Sequence, residues 1–167
     1  GQESFAVLLV DEIMWTYEST PTVTAQLTKI YEETNLSTVA VMEVAPSEVE
    51  KYGIIKGTPI SADQFRVEHL VEKPSPSEAP SRLALPGRYV FSSRIFDKLK
   101  ETKPGKNGEI QLTDAMAALA KSEGMIAKRF KGVRFDAGDK FGYIQANIEI
   151  GLHHPDLAEP LKDYLRK

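Results

Sequence analysis

Asp11, Glu72, Lys73 and Asp136 each stand where an apolar stretch gives way to a loop, the place from which a side chain can reach a ligand. Val71-Glu72-Lys73-Pro74 closes the alternating run Phe65-Arg66-Val67-Glu68-His69-Leu70-Val71, and a Pro-rich loop over residues 74–80 follows at once. Open α/β sheets bind ligands at such strand ends. Glu72 can accept from sugar hydroxyls, and Lys73, a flexible point charge, can reach phosphate. Read locally, spacing alone favours a pair that simply marks a strand leaving the core, since charged side chains mostly face water. Asp11 directly follows the apolar hexamer of residues 5–10, a position suited to Mg²⁺, which takes one or two protein carboxylates and fills its shell with water and phosphate oxygens. A turn cap is the alternative. In Phe135-Asp136-Ala137-Gly138-Asp139, Asp139 reads as a helix N-cap, and Asp136, without such a local role, is the second candidate metal ligand; an Asx-turn is its alternative. Gly53 either lets a ligand approach the backbone or supplies a positive φ. Residues 109–114 read as the cap of a helix rather than as catalytic.

These positions need strands and helices to hold them. The unbroken run Phe5-Ala6-Val7-Leu8-Leu9-Val10 suits a strand buried on both faces in the middle of a parallel sheet. A central strand needs neighbours on both sides and the chain offers none before it, so a fragment lacking upstream sheet neighbours is expected. Thr20-Pro21 reads as a cap and first helical residue, with Val23, Leu27, Ile30 and Tyr31 at helical spacing to about Asn35. Residues 38–44 are a β-branched strand, completing a βαβ unit. Residues 46–51 form a helical turn, 52–56 a strand and 56–59 a turn; residues 65–73, 88–91 and 125–130 are further strands. Ser92 and Thr113 are expected to cap helices, and residues 103–108 are a loop. Phe141, Ile144, Ile148 and Leu152 share a helical face, and Pro155 opens a last helix with Leu157, Leu161 and Leu165 on one stripe. The pattern predicts one α/β domain over residues 1–167, a mixed central sheet with helices packed on it.

Composition narrows the chemistry. The 167 residues, 41% hydrophobic and 27% charged, are enough for one ordinary core. Net charge is −3 with Lys and Arg dispersed, which argues against a nucleic-acid surface. Absence of cysteine excludes disulfides and thiolate metal sites and fits a reducing compartment. No apolar run reaches membrane-spanning length, and the first residues do not read as a signal peptide. The three histidines have no spaced His or Cys partner, so zinc is not expected.

The ordered set of residues 5–11, Tyr52-Gly53-Ile54-Ile55, Val71-Glu72-Lys73-Pro74, Gly87-Arg88-Tyr89-Val90-Phe91, Gly108-Glu109-Ile110-Gln111-Leu112-Thr113-Asp114-Ala115 and Asp136-Ala137-Gly138-Asp139-Lys140-Phe141-Gly142-Tyr143 resembles the bacterial UTP–glucose-1-phosphate uridylyltransferase family. The resemblance implies a Rossmann-like nucleotidyltransferase fold. It also implies the Mg²⁺-dependent reaction of UTP with glucose 1-phosphate to give UDP-glucose and pyrophosphate, a cytoplasmic location and homo-oligomers. By position it makes Asp11 and Asp136 metal ligands, Gly53 and Glu72 sugar contacts, and Lys73 the contact to the sugar-linked phosphate; Asp11 and Lys73 would be the catalytic pair. The family's Gly-rich, Arg- and Lys-bearing N-terminal motif is absent. The chain is therefore expected to be the C-terminal, sugar-binding part, without the N-terminal nucleotide-binding part and inactive alone. A non-catalytic sugar-phosphate-binding or oligomerisation module is the alternative. Glu12, where family members carry a second Asp, is expected to shift the local geometry.

Overall fold

The structure, a computed structural model, describes residues 2–105 and 108–167; Lys106 and Asn107 of the expected 103–108 loop, and Gly1, lie outside the described residues. In chain order the elements are β1 (Phe5–Leu8), β2 (Glu12–Trp15), α1 (Val23–Thr34), β3 (Ser37–Glu43), a 3₁₀ turn (Pro46–Lys51), β4 (Gly53–Pro59), β5 (Gln64–Glu72), β6 (Leu83–Ala84), β7 (Arg88–Phe91), α2 (Ile95–Glu101), α3 (Leu112–Glu123), β8 (Met125–Arg129), β9 (Val133–Asp136), α4 (Lys140–His153) and α5 (Ala158–Leu165).

The β-branched run of β3 forms the middle of a mixed sheet, with Val39, Ala40 and Val41 completely buried. It pairs in parallel with β8 on one side and antiparallel with β7 and β6 on the other. The β4–β5 hairpin closes the remaining gap, β4 against β6 and β5 against β8. Helices α2 and α3 pack on one face around Leu119, Met116 and Phe91. Helix α1 covers the other face through Val23 and Leu27, which lie against Ala40 and Val90. The mixed sheet with packed helices is the architecture expected from the sequence.

Several local expectations are corrected. Residues 5–10 are not a central parallel strand. β1 is an antiparallel edge strand on β7 whose residues alternate between half-buried and exposed, and Val10 is 95% exposed. An unbroken apolar run marks apolar residues but not how many strands flank them, and among the described residues β1 has a strand partner on one side alone. β7 lies between β1 and β3, so the two ends of the expected βαβ unit do not pair directly. The cap of α1 is Thr22, whose hydroxyl accepts from Ala25 N, two residues after the expected cap Thr20. Ser92 does not cap α2, because Arg94 occupies the cap position without a side-chain bond. The turn expected at residues 56–59 is strand interrupted by a bulge between Lys56 and Gly57. The expected core face of α4 is outermost at its start, with Phe141 66% and Ile144 53% exposed; the helix instead buries Gly142, Ala146 and Gly151. The last helix begins at Ala158, not Pro155, and buries no residue completely.

A second, two-stranded sheet was not anticipated. β2 runs antiparallel to β9, pairing Glu12 with Asp136 and Trp15 with Val133. The Gln26 amide ties α1 to this region, donating to Lys131 O and accepting from Lys131 N at 2.8 and 2.9 Å. Among the described residues no helix is long and apolar enough to cross a membrane.

Candidate active site

The main sheet and the two-stranded sheet converge at their ends on a cleft of about 350 Å³. The hairpin register sets Gly53, the first residue of β4, opposite Glu72, the last of β5. Thr113, in the first turn of α3, is buried and donates from Oγ1 to Glu72 Oε2 at 2.5 Å. This corrects the cap role expected for Thr113; Gln111 stands at the cap position. A Cβ on Gly53 would lie 3.1 Å from Glu72 Oε2, from Leu85 Cδ1 and from Thr113 Oγ1. Gly53 has no positive φ, so the glycine answers a close approach of side chains rather than a backbone requirement.

Lys73 follows with φ +43°, in the left-handed region, and its N donates to Tyr52 O at 3.1 Å. A residue before proline is ordinarily pushed to extended conformations, so this backbone is strained and turns the exposed side chain to the cleft mouth. The ammonium has no ion-pair partner among the described residues. Lys73 also borders a second cavity of about 500 Å³, shared with Glu109 and Asp114 at the start of α3.

The opposite wall is the β2–β9 sheet. Asp11 precedes β2, and its carbonyl accepts from Ala137 N at 2.7 Å. Asp136 Oδ1 accepts from Gly138 N and Asp139 N at 3.0 and 3.3 Å, so Asp136 makes the Asx-turn after all and does have a local role. Its carboxylate nonetheless lines the cleft. A Cβ on Gly138 would lie 3.1 Å from Asp136 Oδ1 and 3.4 Å from Asp11 Oδ2, so both carboxylates gather around that glycine. Asp139 caps α4 as expected, accepting from Gly142 N at 2.9 Å. Gly142 lets α4 dock on the turn, since a Cβ there would come within 2.2 Å of Asp136 O.

Beneath Asp136, Arg134 forms a two-pronged ion pair with Glu12, each contact 2.5 Å, and the side chains are 14% and 9% exposed. Burial pushes the Glu12 carboxyl up, against the pull of Arg134. Burial would lower the Arg134 pKa, but the Glu12 hydrogen bonds and charge outweigh it and hold the guanidinium above its ordinary value. Burial, with the nearby Glu72 and Glu12 charges, also raises the Tyr89 hydroxyl.

The structure thus places Asp11, Gly53, Glu72, Lys73 and Asp136 around one cleft. Sequence reasoning gave no site role to Thr113, Arg134 or Tyr52. Arg134 and Asp136 are two apart on a strand and so share a face, a signal that was available. The register that brings Glu12 beside Asp136 was not.

The nucleotidyl transferase family profile matches residues 1–151, and the chain belongs to that family. Within it, the chain is 45% identical over 167 residues to the UTP–glucose-1-phosphate uridylyltransferase of Streptococcus pneumoniae, covering 99% of this chain and 56% of that protein. A crystal structure of UDP-glucose pyrophosphorylase complexed with UDP-glucose superposes with a TM-score of 0.87 at 44% identity, over 92% of this chain and 58% of the other. The UTP-bound enzyme from Acinetobacter baumannii superposes at 0.85 and 32% identity, over 100% of this chain and 57% of the other. The fold is that of these nucleotidyltransferases, and the chain spans about 56% of such a relative's length.

Proposed function

We propose that this chain, as one domain, is the C-terminal, sugar-phosphate-binding part of a UTP–glucose-1-phosphate uridylyltransferase. In the complete protein it converts UTP and glucose 1-phosphate to UDP-glucose and pyrophosphate. The observation that carries the proposal is the convergence of Gly53, Glu72, Lys73, Asp11 and Asp136 on one cleft. Glu72, oriented by Thr113, accepts from sugar hydroxyls, and Gly53 leaves room beside it. Lys73 offsets the charge of the sugar-linked phosphate so that two anions can approach. A sugar phosphate oxygen attacks the α-phosphorus of UTP in line and pyrophosphate leaves. The attacking phosphate is already ionised, so no general base is required, and catalysis is positioning and charge neutralisation.

Asp11 and Asp136 are the residues that would hold Mg²⁺. Two carboxylates around a glycine fit an ion that draws its other ligands from water and phosphate. When bound, Mg²⁺ supplies neutralisation of developing phosphate charge. The family relationship further supports a cytoplasmic location and homo-oligomeric assembly. The outer edge of β1, without a strand partner among the described residues and with Leu8 exposed, counts against a free-standing binding module.

Pyrophosphate release tests the proposal. The chain alone should give none. The chain joined to the N-terminal portion of the Streptococcus pneumoniae relative should release pyrophosphate from UTP and glucose 1-phosphate. Robust turnover by the chain alone, or a folded but inactive chimera, contradicts it.

A further inference from the structure

Arg134 joins the two walls of the cleft. Besides its paired contacts to Glu12, Nη2 donates to Asp136 Oδ2 at 3.1 Å and Nη1 donates to the Tyr52 hydroxyl at 3.1 Å. Its guanidinium carbon sits 5.4 Å from the centre of the Tyr52 ring. A planar fork with this many fixed partners sets orientation in a way a lysine cannot.

Two consequences follow for Asp136. Each carboxylate oxygen offers two acceptor sites. Oδ1 is taken by Gly138 N and Asp139 N, while among the described residues Oδ2 receives only Arg134, so the open site is on Oδ2. The Asp11 side chain accepts no hydrogen bond among the described residues, so Asp136 is the fixed member of the pair and Asp11 the adaptable one. The second consequence is one of charge. An unpaired arginine here would repel a cation. Arg134 is shared between Glu12 and Asp136, so with Asp11 the three carboxylates around one guanidinium leave the cluster a net negative charge.

We propose that Arg134 is a positioning residue and Glu12 its counter-ion: together they fix Asp136 with Oδ2 open to a divalent cation, and through Tyr52 they hold the cation side of the cleft at a set distance from Gly53. The proposal rests on the reading of Asp11 and Asp136 as the metal carboxylates. It turns Glu12 from a departure at the metal site into part of its support.

Mn²⁺ binding to this chain, followed by the electron paramagnetic resonance signal of the free ion, tests it without any activity assay. Wild type should bind, and Asp11→Asn should abolish binding. Arg134→Met should weaken Mn²⁺ affinity about 10- to 100-fold, the range for residues that orient metal ligands. Glu12→Gln, nearly isosteric, should also weaken it, because the arginine charge is then uncompensated. The double variant should be no weaker than Arg134→Met alone, since the two act as a unit. Arg134→Lys should fall between wild type and Arg134→Met. Wild-type affinity in folded Arg134→Met, or in Glu12→Gln should the methionine variant not fold, overturns the role of Arg134 and leaves the metal reading intact. No Mn²⁺ binding by wild type, or binding indifferent to Asp11→Asn, overturns both.

Discussion

Gly53→Ala sets two opposed effects against each other, and the structure decides between them. Alanine in a strand position with ordinary φ removes freedom from the unfolded chain, a gain of about 0.4–1 kcal/mol. The added methyl would meet Glu72 Oε2, Leu85 Cδ1 and Thr113 Oγ1 at 3.1 Å each, tighter than ordinary contact. Leu85 and Thr113 are each 6% exposed and have no room to retreat. Overpacking of this kind costs about 1–3 kcal/mol, so a net loss of about 1 kcal/mol follows. Glu72 borders the cleft and is the neighbour able to move, so the larger effect should fall on substrate. The methyl asks Glu72 to give by only a few tenths of an ångström, so the rate loss should stay below the roughly 100-fold that a 1 Å misplacement costs. Urea unfolding of this chain, with the glucose 1-phosphate KM and kcat of the active chimera, measures both. A variant more stable than wild type, with unchanged kinetics, would refute the packing argument at Gly53.

Thr113→Val removes the donor to Glu72 without leaving a cavity. It should lower stability by about 1–2 kcal/mol and raise the glucose 1-phosphate KM of the chimera; an unchanged KM would separate Thr113 from the site. Lys73→Gly relieves the left-handed backbone, whose strain is worth about 1–3 kcal/mol, so unfolding should show equal or greater stability while turnover collapses. Loss of stability together with retained turnover would show that the lysine conformation is not strained for function. The Lys128–Asp63 ion pair ties β8 to the start of β5, and its hydrogen bond holds the Asp63 carboxyl below its ordinary pKa. A depressed carboxylate contributes stability above its unfolded value of about 3.9 and loses it as pH falls through the folded value. Asp63→Asn should therefore cost about 0.5–1 kcal/mol at pH 7, given its partial exposure, and the difference from wild type should shrink as pH falls below the unfolded value and through the folded one. A difference independent of pH would remove the ion pair from that explanation.

The legible parts of the sequence were those governed by local rules. Helix α1, strands β3, β5 and β7, and the Asp139 cap follow from periodicity, β-branched residues and a side-chain acceptor three residues before its donor. The parts that escaped depend on distant partners. β2 and β9 are four residues each, half-buried throughout, and meet across more than a hundred residues of chain, so neither announces itself. In α4 the periodic apolar residues stay outside because the helix docks through glycine and alanine, where Asp136 O leaves no room for more. At the site, the candidate carboxylates and lysine were visible as strand-end charges. Thr113 was hidden because a threonine near a helix start ordinarily reads as a cap.

The central claim is that Glu72 and Lys73, with Gly53 and Thr113, bind a sugar phosphate. Backbone amide chemical shifts of the isotope-labelled chain, recorded as glucose 1-phosphate is added with Mg²⁺ present, test it most directly. The account predicts saturable shifts at Gly53, Glu72, Lys73 and Thr113, reduced when Lys73 is replaced by methionine. Shifts centred instead on the separate cavity beside Tyr17 and His153, or none at any concentration, would contradict it.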